Sequence, residues 1–443
     1  MDTIAAISTP SGEGGIGIIR VSGTKALKIA DKIFKGKIKP SLVKTHTIHY
    51  GKIVDVSGKK IDECLLMIML KPNTYTTEDT IEINVHSGVV SLRKILETAL
   101  KNGARLAEPG EFTKRAFMAG KIDLIQAEAV LDIIQAKSEK ALTMAINQLE
   151  GKLSNHIKKL KDTLLKIITN LETDIEFSEE EIKIQNIAPM LKEVHQSINN
   201  LLISSRQGKF LKEGITFTII GKANVGKSSI FNSLLGKEQA IVTKYPGTTR
   251  DTIEAWLDVK GLPLKLIDTA GLMTTNNPMD IAGQQRTQKA ISESDGVLFV
   301  FDVTKGVTKE DINLLKHIKN KKVIGIFNKC DLPHQKIVAK NFDFPVLSVS
   351  ALNGTNIDLI LKSISKLVIL DNIPPLVSKM RHIETLEKAN LSIKKAISGM
   401  RKLTPECLAY EIKEASTCLS ELTGEITNEI ILNQIFSEFC IGK

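Results

Sequence analysis

Gly221-Lys-Ala-Asn-Val-Gly226-Lys227-Ser228 stands directly after the apolar run Ile215–Ile220 and before a stretch of helical texture. A strand, a glycine-bounded loop ending in Lys-Ser and a helix are the arrangement that wraps phosphate. Glycines let the main chain turn tightly, so that successive N–H groups face phosphate oxygens. Lys227 brings a cation to the β- and γ-phosphates, and the Ser228 hydroxyl is a ligand for Mg²⁺. The dipole of the following helix adds to the attraction.

Three segments further along complete the reading. Asp268-Thr269-Ala270-Gly271 ends the apolar run Leu264–Ile267. There Asp268 would hold Mg²⁺ through water and the Gly271 N–H would reach the γ-phosphate. Asn328-Lys329-Cys330-Asp331 closes another apolar run. A carboxylate at Asp331 can accept both N1–H and the 2-amino group of guanine, a donor pair that adenine lacks, so ATP is left unmatched. Ser350-Ala351-Leu352 follows the last run and can offer a main-chain N–H to the guanine O6. Thr248-Thr249-Arg250-Asp251 lies between the first two segments, in a stretch able to order with the γ-phosphate, with Thr249 as the second hydroxyl ligand of Mg²⁺. The expected GTP/GDP contacts on these segments are Asn224, Val225, Gly226, Lys227, Ser228 and Ser229; Thr248 and Thr249; Asp268, Thr269, Ala270 and Gly271; Asn328, Lys329, Cys330 and Asp331; and Ser350 and Ala351.

Around this site the chain changes texture. From about 212 to 373, β-like runs (Ile215–Ile220, Leu264–Ile267, Val297–Val303, Val323–Phe327, Val346–Val349) alternate with helical stretches. That predicts an α/β domain with a mostly parallel sheet. Residues 1–118 mix short β-like runs (Ile4–Ile7, Ile16–Val21, Leu65–Leu70, Ile81–Val85) with helices near 24–33 and 89–101, an α+β domain. Residues 119–211 and 374–443 are helical in texture. Leu142, Ile146, Leu149, Leu153, Ile157, Leu160, Leu164, Ile168 and Leu171 recur in steps of three and four, which predicts one stripe some eight turns long. The economical arrangement is an α/β domain inserted between two pieces of a helical bundle.

The 443 residues suit two or three domains. Sixty Lys+Arg against fifty Asp+Glu leave a formal charge of +10, which fits a polyanionic partner such as RNA and equally fits a lysine-rich composition with no such partner. The five cysteines form no CxxC pair, so neither a disulfide framework nor a zinc site is indicated. No leader segment or bilayer-spanning apolar run is read, and a cytoplasmic protein with no membrane partner is expected.

With these segments in place the chain resembles the tRNA-modifying GTPase family MnmE, also called TrmE, over nearly its whole length. The likeness is carried by Gly14-Gly-Ile-Gly-Ile-Ile-Arg20-Val-Ser-Gly23, by Tyr75-Thr-Thr-Glu78-Asp-Thr-Ile-Glu82 with His86-Ser-Gly88, and by Pro109-Gly-Glu-Phe-Thr-Lys-Arg-Ala-Phe117 with Lys121-Ile-Asp-Leu-Ile-Gln-Ala-Glu128. The terminal Phe439-Cys440-Ile441-Gly442-Lys443 belongs to the same likeness. It implies a tetrahydrofolate-binding-like N-terminal domain that forms a homodimer, a helical bundle and an inserted Ras-like P-loop G domain. Family contacts to 5-formyl-tetrahydrofolate (or 5,10-methylene-tetrahydrofolate) map onto Arg20, Glu82, Lys121 and Lys443. The resemblance further implies work with the flavoprotein MnmG, as a potassium-dependent GTP hydrolase. The product is an aminomethyl or carboxymethylaminomethyl group on C5 of the wobble uridine of tRNA. Asn224 would ligate K⁺, helped by Thr243, Tyr245 and Thr248, where an arginine finger would otherwise stand. To the GTP/GDP contacts the resemblance adds Thr243, Lys244, Tyr245, Pro246 and Gly247.

One position departs from the family pattern. Where the family carries a catalytic Glu after the Asp-Thr-Ala-Gly segment, the matching residue here is Asp280, one methylene shorter, and slower hydrolysis is expected. Lys227, Thr249 and Asp280 are the catalytic expectations. Cys440 is open to two readings, a participant beside Lys443 or a structural thiol. The alternative function is a regulatory GTPase of ribosome assembly that binds rRNA; such proteins share the nucleotide motifs but lack the first 120 residues and the terminal Cys-Ile-Gly-Lys. A folate-dependent one-carbon transferase with a regulatory GTPase insert overlaps with the first reading.

Overall fold

The computed structural model describes residues 2–10, 12–176, 184–237, 253–268, 288–316, 318, 321–333, 342–367, 376–400 and 402–443. Two compact units divide the chain: Met1–Leu131 with Ser154–Lys158 and Thr417–Lys443, and Asp132–Leu153 with Lys159–Ser416.

The first unit is built on a seven-stranded sheet in the order β3-β4-β5-β6-β2-β1-β7. Its strands are β1 (Ile4–Ile7), β2 (Gly14–Ser22), β3 (Phe34–Gly36), β4 (Thr47–Val54), β5 (Lys60–Met69), β6 (Thr80–Ser87) and β7 (Arg105–Leu106). All pairs are antiparallel except β1 with β7. Helices α1 (Ala26–Ile33) and α2 (Val89–Lys101) supply Ile29, Ile33, Leu92 and Ile95 to one buried cluster with Ile19, Leu66, Ile68, Ile81 and Ile83 of the strands. Strand side chains alternate between faces, so Ile19 and Val21 go into this core while Arg20 points to the other side. On that side α3 (Glu111–Met118) packs Phe112 against Ile4 and Ala6.

Strand β4 escaped the sequence reading because Gly51 interrupts its apolar pattern. The glycine is needed: a Cβ there would lie 2.5 Å from the ring of Phe34. The terminal residues close the unit. Pro109 and Ile441 form a β-bridge, and the Phe112 N–H donates to the Lys443 carbonyl at 3.1 Å.

Among the described residues the further helices are α4 (Leu124–Gln135), α5 (Glu139–Leu149), α6 (Lys152–Glu176) and α7 (Ile184–Glu213), then α8 (Lys227–Lys237), α9 (Lys309–Lys316) and α10 (Ile357–Leu367) in the second unit's α/β layer, and α11 (Met380–Gly399), α12 (Pro405–Thr423) and α13 (Glu429–Ser437). The single eight-turn stripe predicted from Leu142 to Leu171 is corrected: a turn at Glu150–Gly151 splits it into α5 and α6. On α5 the buried face is Ala141, Met144, Ala145 and Gln148, whereas Leu142 and Ile146 are exposed. The stripe does hold along α6, where Leu153, Ile157, Leu160, Leu164, Ile168 and Leu171 are buried.

In the second unit β8 (Ile215–Ile220), β9 (Ile253–Val259), β10 (Leu262–Asp268), β11 (Gly296–Asp302), β12 (Lys322–Asn328) and β13 (Val346–Ser348) form a six-stranded sheet in the order β13-β12-β11-β8-β10-β9. Every pair is parallel except β9 with β10. Helices α8 (Lys227–Lys237), α9 (Lys309–Lys316) and α10 (Ile357–Leu367) connect or follow the strands. Ile230, Leu234, Ile360 and Ile364 of these helices close over Ile219, Leu298, Ile324 and Ile326 of the sheet. The five parallel strands fall where their β-like runs predicted. The antiparallel edge strand β9 did not enter that reading, although Ala255, Leu257 and Val259 alternate with Glu254, Trp256 and Asp258.

Candidate nucleotide site and an N-terminal cationic cluster

Parallel strands end their carboxyl edges together, and here those edges carry the motifs. β8 runs into the loop Gly221–Gly226, β10 ends at Asp268, β12 ends at Asn328, and Ser350 follows β13. This is where ligands bind in open α/β sheets. Gly226 has φ +94°, and a Cβ there would stand 2.2 Å from Asn328 Nδ2, so only glycine lets the loop approach the Asn328 side chain.

Asn328 acts as a latch. Its Nδ2 donates to the Val225 carbonyl at 2.9 Å, and its Oδ1 accepts from the Ala351 N–H at 3.0 Å. One buried amide therefore ties the phosphate loop to the Ser350-Ala351 segment. Lys329, with φ +69°, donates from Nζ to the Asn224 carbonyl at 3.0 Å and to Asp302 Oδ2 at 2.6 Å. Burial raises the affinity of Asp302 for a proton, but the hydrogen bonds from Lys329 and Thr304 outweigh it and hold the carboxyl below its ordinary range. Asp331 is exposed at the end of this turn. The sequence reading gave the guanine contact to Asp331 and missed that Asn328 and Lys329 build the loop around it; their place directly after a strand and before Asp331 was the available signal.

Lys227 is buried, and its Nζ donates to the Gly221 carbonyl at 3.0 Å and the Lys222 carbonyl at 2.8 Å. Burial pushes the ammonium below its ordinary pKa, with Asp268 pulling the other way. An ammonium held by carbonyls at the mouth of a helix is suited to an incoming polyphosphate. Ser228 Oγ donates to Asp268 Oδ2 at 2.9 Å, which brings together the two oxygen donors expected around Mg²⁺. Val225 is buried, so any contact it makes with nucleotide comes from its main chain. Asn224 is exposed and takes φ +62°, while Ser229 follows the loop and Cys330 lies in the Asn328–Asp331 turn. The expected residues Thr243, Lys244, Tyr245, Pro246, Gly247, Thr248, Thr249, Thr269, Ala270, Gly271 and Asp280 lie outside the described residues.

In the first unit the four expected folate residues fall in one neighbourhood. Arg20 Nε donates to Glu82 Oε1 at 2.7 Å, its neighbour in register across β2 and β6. Arg20 Nη1 donates to the Gly442 carbonyl at 3.3 Å, and its guanidinium stands 6.0 Å from the Tyr75 ring centre and 5.5 Å from that of Phe112. Lys121 Nζ lies 5.9 Å from the same Tyr75 ring and donates to the Thr74 carbonyl at 2.6 Å. The Lys443 carbonyl is held by Phe112, so the last residue is beside them. Tyr75 and Phe112 were quoted in the sequence only as motif letters; here they wall the cluster.

Beside it, Glu111 accepts both Nη atoms of Arg105 at 2.7 and 2.6 Å and Arg115 Nη2 at 2.9 Å, and Arg115 Nη1 reaches both oxygens of Glu78. Burial alone would raise the Glu111 pKa, yet the two guanidinium groups and the Glu108 N–H lower it. Glu78, Glu111 and Arg115, all from the quoted motifs, thus form an ion-pair network that fixes α3 rather than an open site.

A strand-ended phosphate loop, a Ser–Asp oxygen pair and an Asn-Lys-Cys-Asp turn latched to it define a P-loop protein of the guanine-nucleotide class. Comparison with known proteins narrows the class. The model described as the MnmE helical domain matches residues 124–440, and that described as the GTP-binding protein TrmE N-terminus matches residues 3–121. The chain is 42% identical over 455 residues to the tRNA modification GTPase MnmE of Acetivibrio thermocellus, covering 100% of this chain and 99% of that protein. It is 44% identical over 453 residues to the MnmE of Streptococcus sanguinis (100% and 99%) and 41% identical over 459 residues to that of Bacillus subtilis (100% of both). A crystal structure of the G domain of the T. maritima FeoB iron transporter matches 34% of this chain and 97% of its own, at 25% identity and a TM-score of 0.28. The chain belongs to the tRNA modification GTPase MnmE family.

Proposed function

We propose that this chain hydrolyses GTP in a complex that modifies C5 of the wobble uridine of tRNA. The observation that carries this reading is the match, end to end, to tRNA modification GTPases in a chain whose strand ends also assemble a guanine-nucleotide site. The ribosome-assembly alternative shares only the second feature, and the match of residues 3–121 to the TrmE N-terminus speaks against it.

Lys227 and the start of α8 would hold the β- and γ-phosphates, while Ser228, Asp268 and Thr249 would hold Mg²⁺, which supplies charge neutralisation at the phosphoryl oxygens. Asp331 would select guanine, with Asn328 and Lys329 keeping its turn against the phosphate loop. Asn224, Thr243, Tyr245 and Thr248 would hold K⁺, and Asp280 would orient the attacking water. In the first unit, Arg20, Glu82, Lys121 and Lys443 would hold a tetrahydrofolate. A guanidinium between two aromatic rings, beside an ammonium and the chain end, suits a flat ring system with an anionic tail. The chain would act as a homodimer with the flavoprotein MnmG, in the cytoplasm. Its domains would run 1–118, 119–211, 212–373 and 374–443. Among the described residues no helix is long and apolar enough to cross a membrane.

Mass spectrometry of tRNA from a strain lacking the gene tests the reading, with the expected outcome that the C5 group on wobble uridine is absent. Wobble uridines left unchanged would defeat it. GTP turnover in K⁺ against Na⁺ buffer tests the cation role. Steep K⁺ dependence is expected, and Asn224→Ala should remove the preference, since the arginine finger that K⁺ replaces accelerates hydrolysis roughly 10³- to 10⁵-fold.

A further inference from the structure

From Lys25 to Lys52 the chain holds eight lysines and one acidic residue, Asp31, while the whole molecule carries a formal charge of +10. Lys25, Lys28 and Lys32 follow at spacings of three and four and form one exposed stripe along α1. The opposite stripe, Ala26, Ile29, Ala30 and Ile33, is buried. After α1 the chain enters β3, the outermost strand of the sheet, where Lys35 and then Lys37 are exposed.

The single carboxylate in this stretch is already used. Asp31 Oδ1 accepts from the Ser41 N–H at 2.9 Å, and Oδ2 lies 3.6 Å from Lys39 Nζ, so Asp31 pins the following segment against α1. Lys35 stands directly across from Lys52 of β4 in antiparallel register. Like charges so placed are destabilising. Lys52 has Glu63 on its other side, but Glu63 already accepts from Lys60 Nζ and Tyr50 Oη, each at 2.8 Å. Among the described residues Lys28, Lys32, Lys35 and Lys37 have no carboxylate partner. Some lysines elsewhere do find one: Lys265 pairs with Glu254 at 2.8 Å and Lys413 with Glu172 at 2.6 Å. A merely solvated surface intersperses the two signs. This one concentrates a single sign on an edge and keeps a repulsive pair.

We propose that the α1–β3 edge is a landing surface for the phosphate backbone of RNA, which, given the reading above, is tRNA. Lysines are flexible point charges that neutralise phosphates without reading base edges. Such a surface holds the RNA by counterion release and leaves selection of the uridine to other parts of the complex.

The test is binding of unmodified tRNA to the full chain, measured by fluorescence anisotropy across a salt series. The variant is Lys28→Gln/Lys32→Gln/Lys35→Gln/Lys37→Gln. Its control removes the same charge elsewhere, in Lys158→Gln/Lys159→Gln/Lys388→Gln/Lys394→Gln. For the first variant, affinity should fall roughly tenfold or more near 0.1 M salt, and the slope of log affinity against log salt should flatten by about 0.9 for each duplex phosphate that is no longer neutralised. GTP turnover should stay at the wild-type value, the melting temperature should hold or rise slightly because Lys35→Gln relieves the repulsion with Lys52, and the control should weaken much less. Equal weakening in both variants would reduce the effect to net charge and overturn the proposal. Wild-type affinity in the first variant would overturn it and leave the tRNA-modification reading standing. Failure of the wild-type chain to bind tRNA at any salt would overturn it too, whereas loss of the wobble modification in the deletion strain tests that reading independently. If the first variant sheds anionic phosphatidylserine vesicles while keeping tRNA, the surface is a membrane contact and the proposal fails.

Discussion

At Gly442 the backbone takes φ +100°, and a Cβ would lie 2.4 Å from the Ile7 carbonyl oxygen. The same residue offers its carbonyl to Arg20 Nη1 and to Ser8 Oγ. Position 442 therefore needs glycine for conformation and for closeness at once. Gly442→Ala should cost about 1–3 kcal/mol and loosen the terminal residues. Cys440 is exposed in the docked tail, so a fall in melting temperature, rather than a change in thiol reactivity, is the measurement that reads this loss. An unchanged melting temperature would show that the tail contributes nothing to the first unit.

Lys227 makes a prediction about pH. Burial lowers its pKa in the unliganded chain, and an adjacent polyphosphate would raise it. Nucleotide binding should then take up a proton, increasingly as pH climbs toward the unliganded value, and affinity should fall over the same range. Calorimetry of GDP binding in two buffers of different ionisation enthalpy reads the uptake directly. Equal uptake near pH 7 and about pH 9, below the ordinary lysine range, would refute the linkage. Residues of this kind were legible because phosphate chemistry admits few choices of side chain. Asn328 was named as a contact, yet its bond to the Val225 carbonyl joins positions 103 apart, and no local pattern announces such a pairing.

Elements were legible where burial is one-sided and uninterrupted. β8 and the stripe of α6 were read from apolar spacing because each meets its core along its whole length. The stripe through α5 misled, since Leu142 and Ile146 keep the helical period while the residues that pack are Ala141 and Met144. Period alone does not say which face is covered. The contact between α7 and α11 shows what pattern leaves out. His195 Nδ1–H donates to Asn390 Oδ1 at 2.7 Å, Asn390 Nδ2 donates to Asn199 Oδ1 at 2.8 Å, and Asn199 Nδ2 donates to His195 Nε2 at 3.0 Å. The ring of bonds closes when one imidazole nitrogen donates and the other accepts. Asn390→Ala would leave both the His195 donor and the Asn199 acceptor without this partner in a largely buried seam. A loss of about 1–3 kcal/mol is expected in urea unfolding. Asn390→Ala with His195→Leu and Asn199→Leu, which removes every member of the ring, should recover part of it, and no recovery would mean that the loss comes from packing alone.

Across the whole molecule, each of the two compact units has its own anchoring chemistry, and this bears on how the chain unfolds. The first relies on the docked Gly442–Lys443 end and on the Arg105–Glu111–Arg115–Glu78 network, whose Glu111 has a lowered pKa. A carboxylate with a depressed folded pKa stabilises fully above its unfolded value and loses that contribution as pH falls through the folded one. The first unit should therefore weaken on acidification below about pH 4, the unfolded glutamate range, and Glu111→Gln should blunt that dependence while lowering stability at neutral pH. The second unit carries the nucleotide loop and gains from any ligand that binds only its folded form, about 2.7 kcal/mol at a hundredfold excess over Kd. Scanning calorimetry with and without GDP should consequently show two transitions that respond to different treatments. GDP should raise one, and Glu111→Gln or Gly442→Ala should lower the other. A single transition moved by all three would mean that the units unfold as one body, and the separation of their stabilities would have to be abandoned.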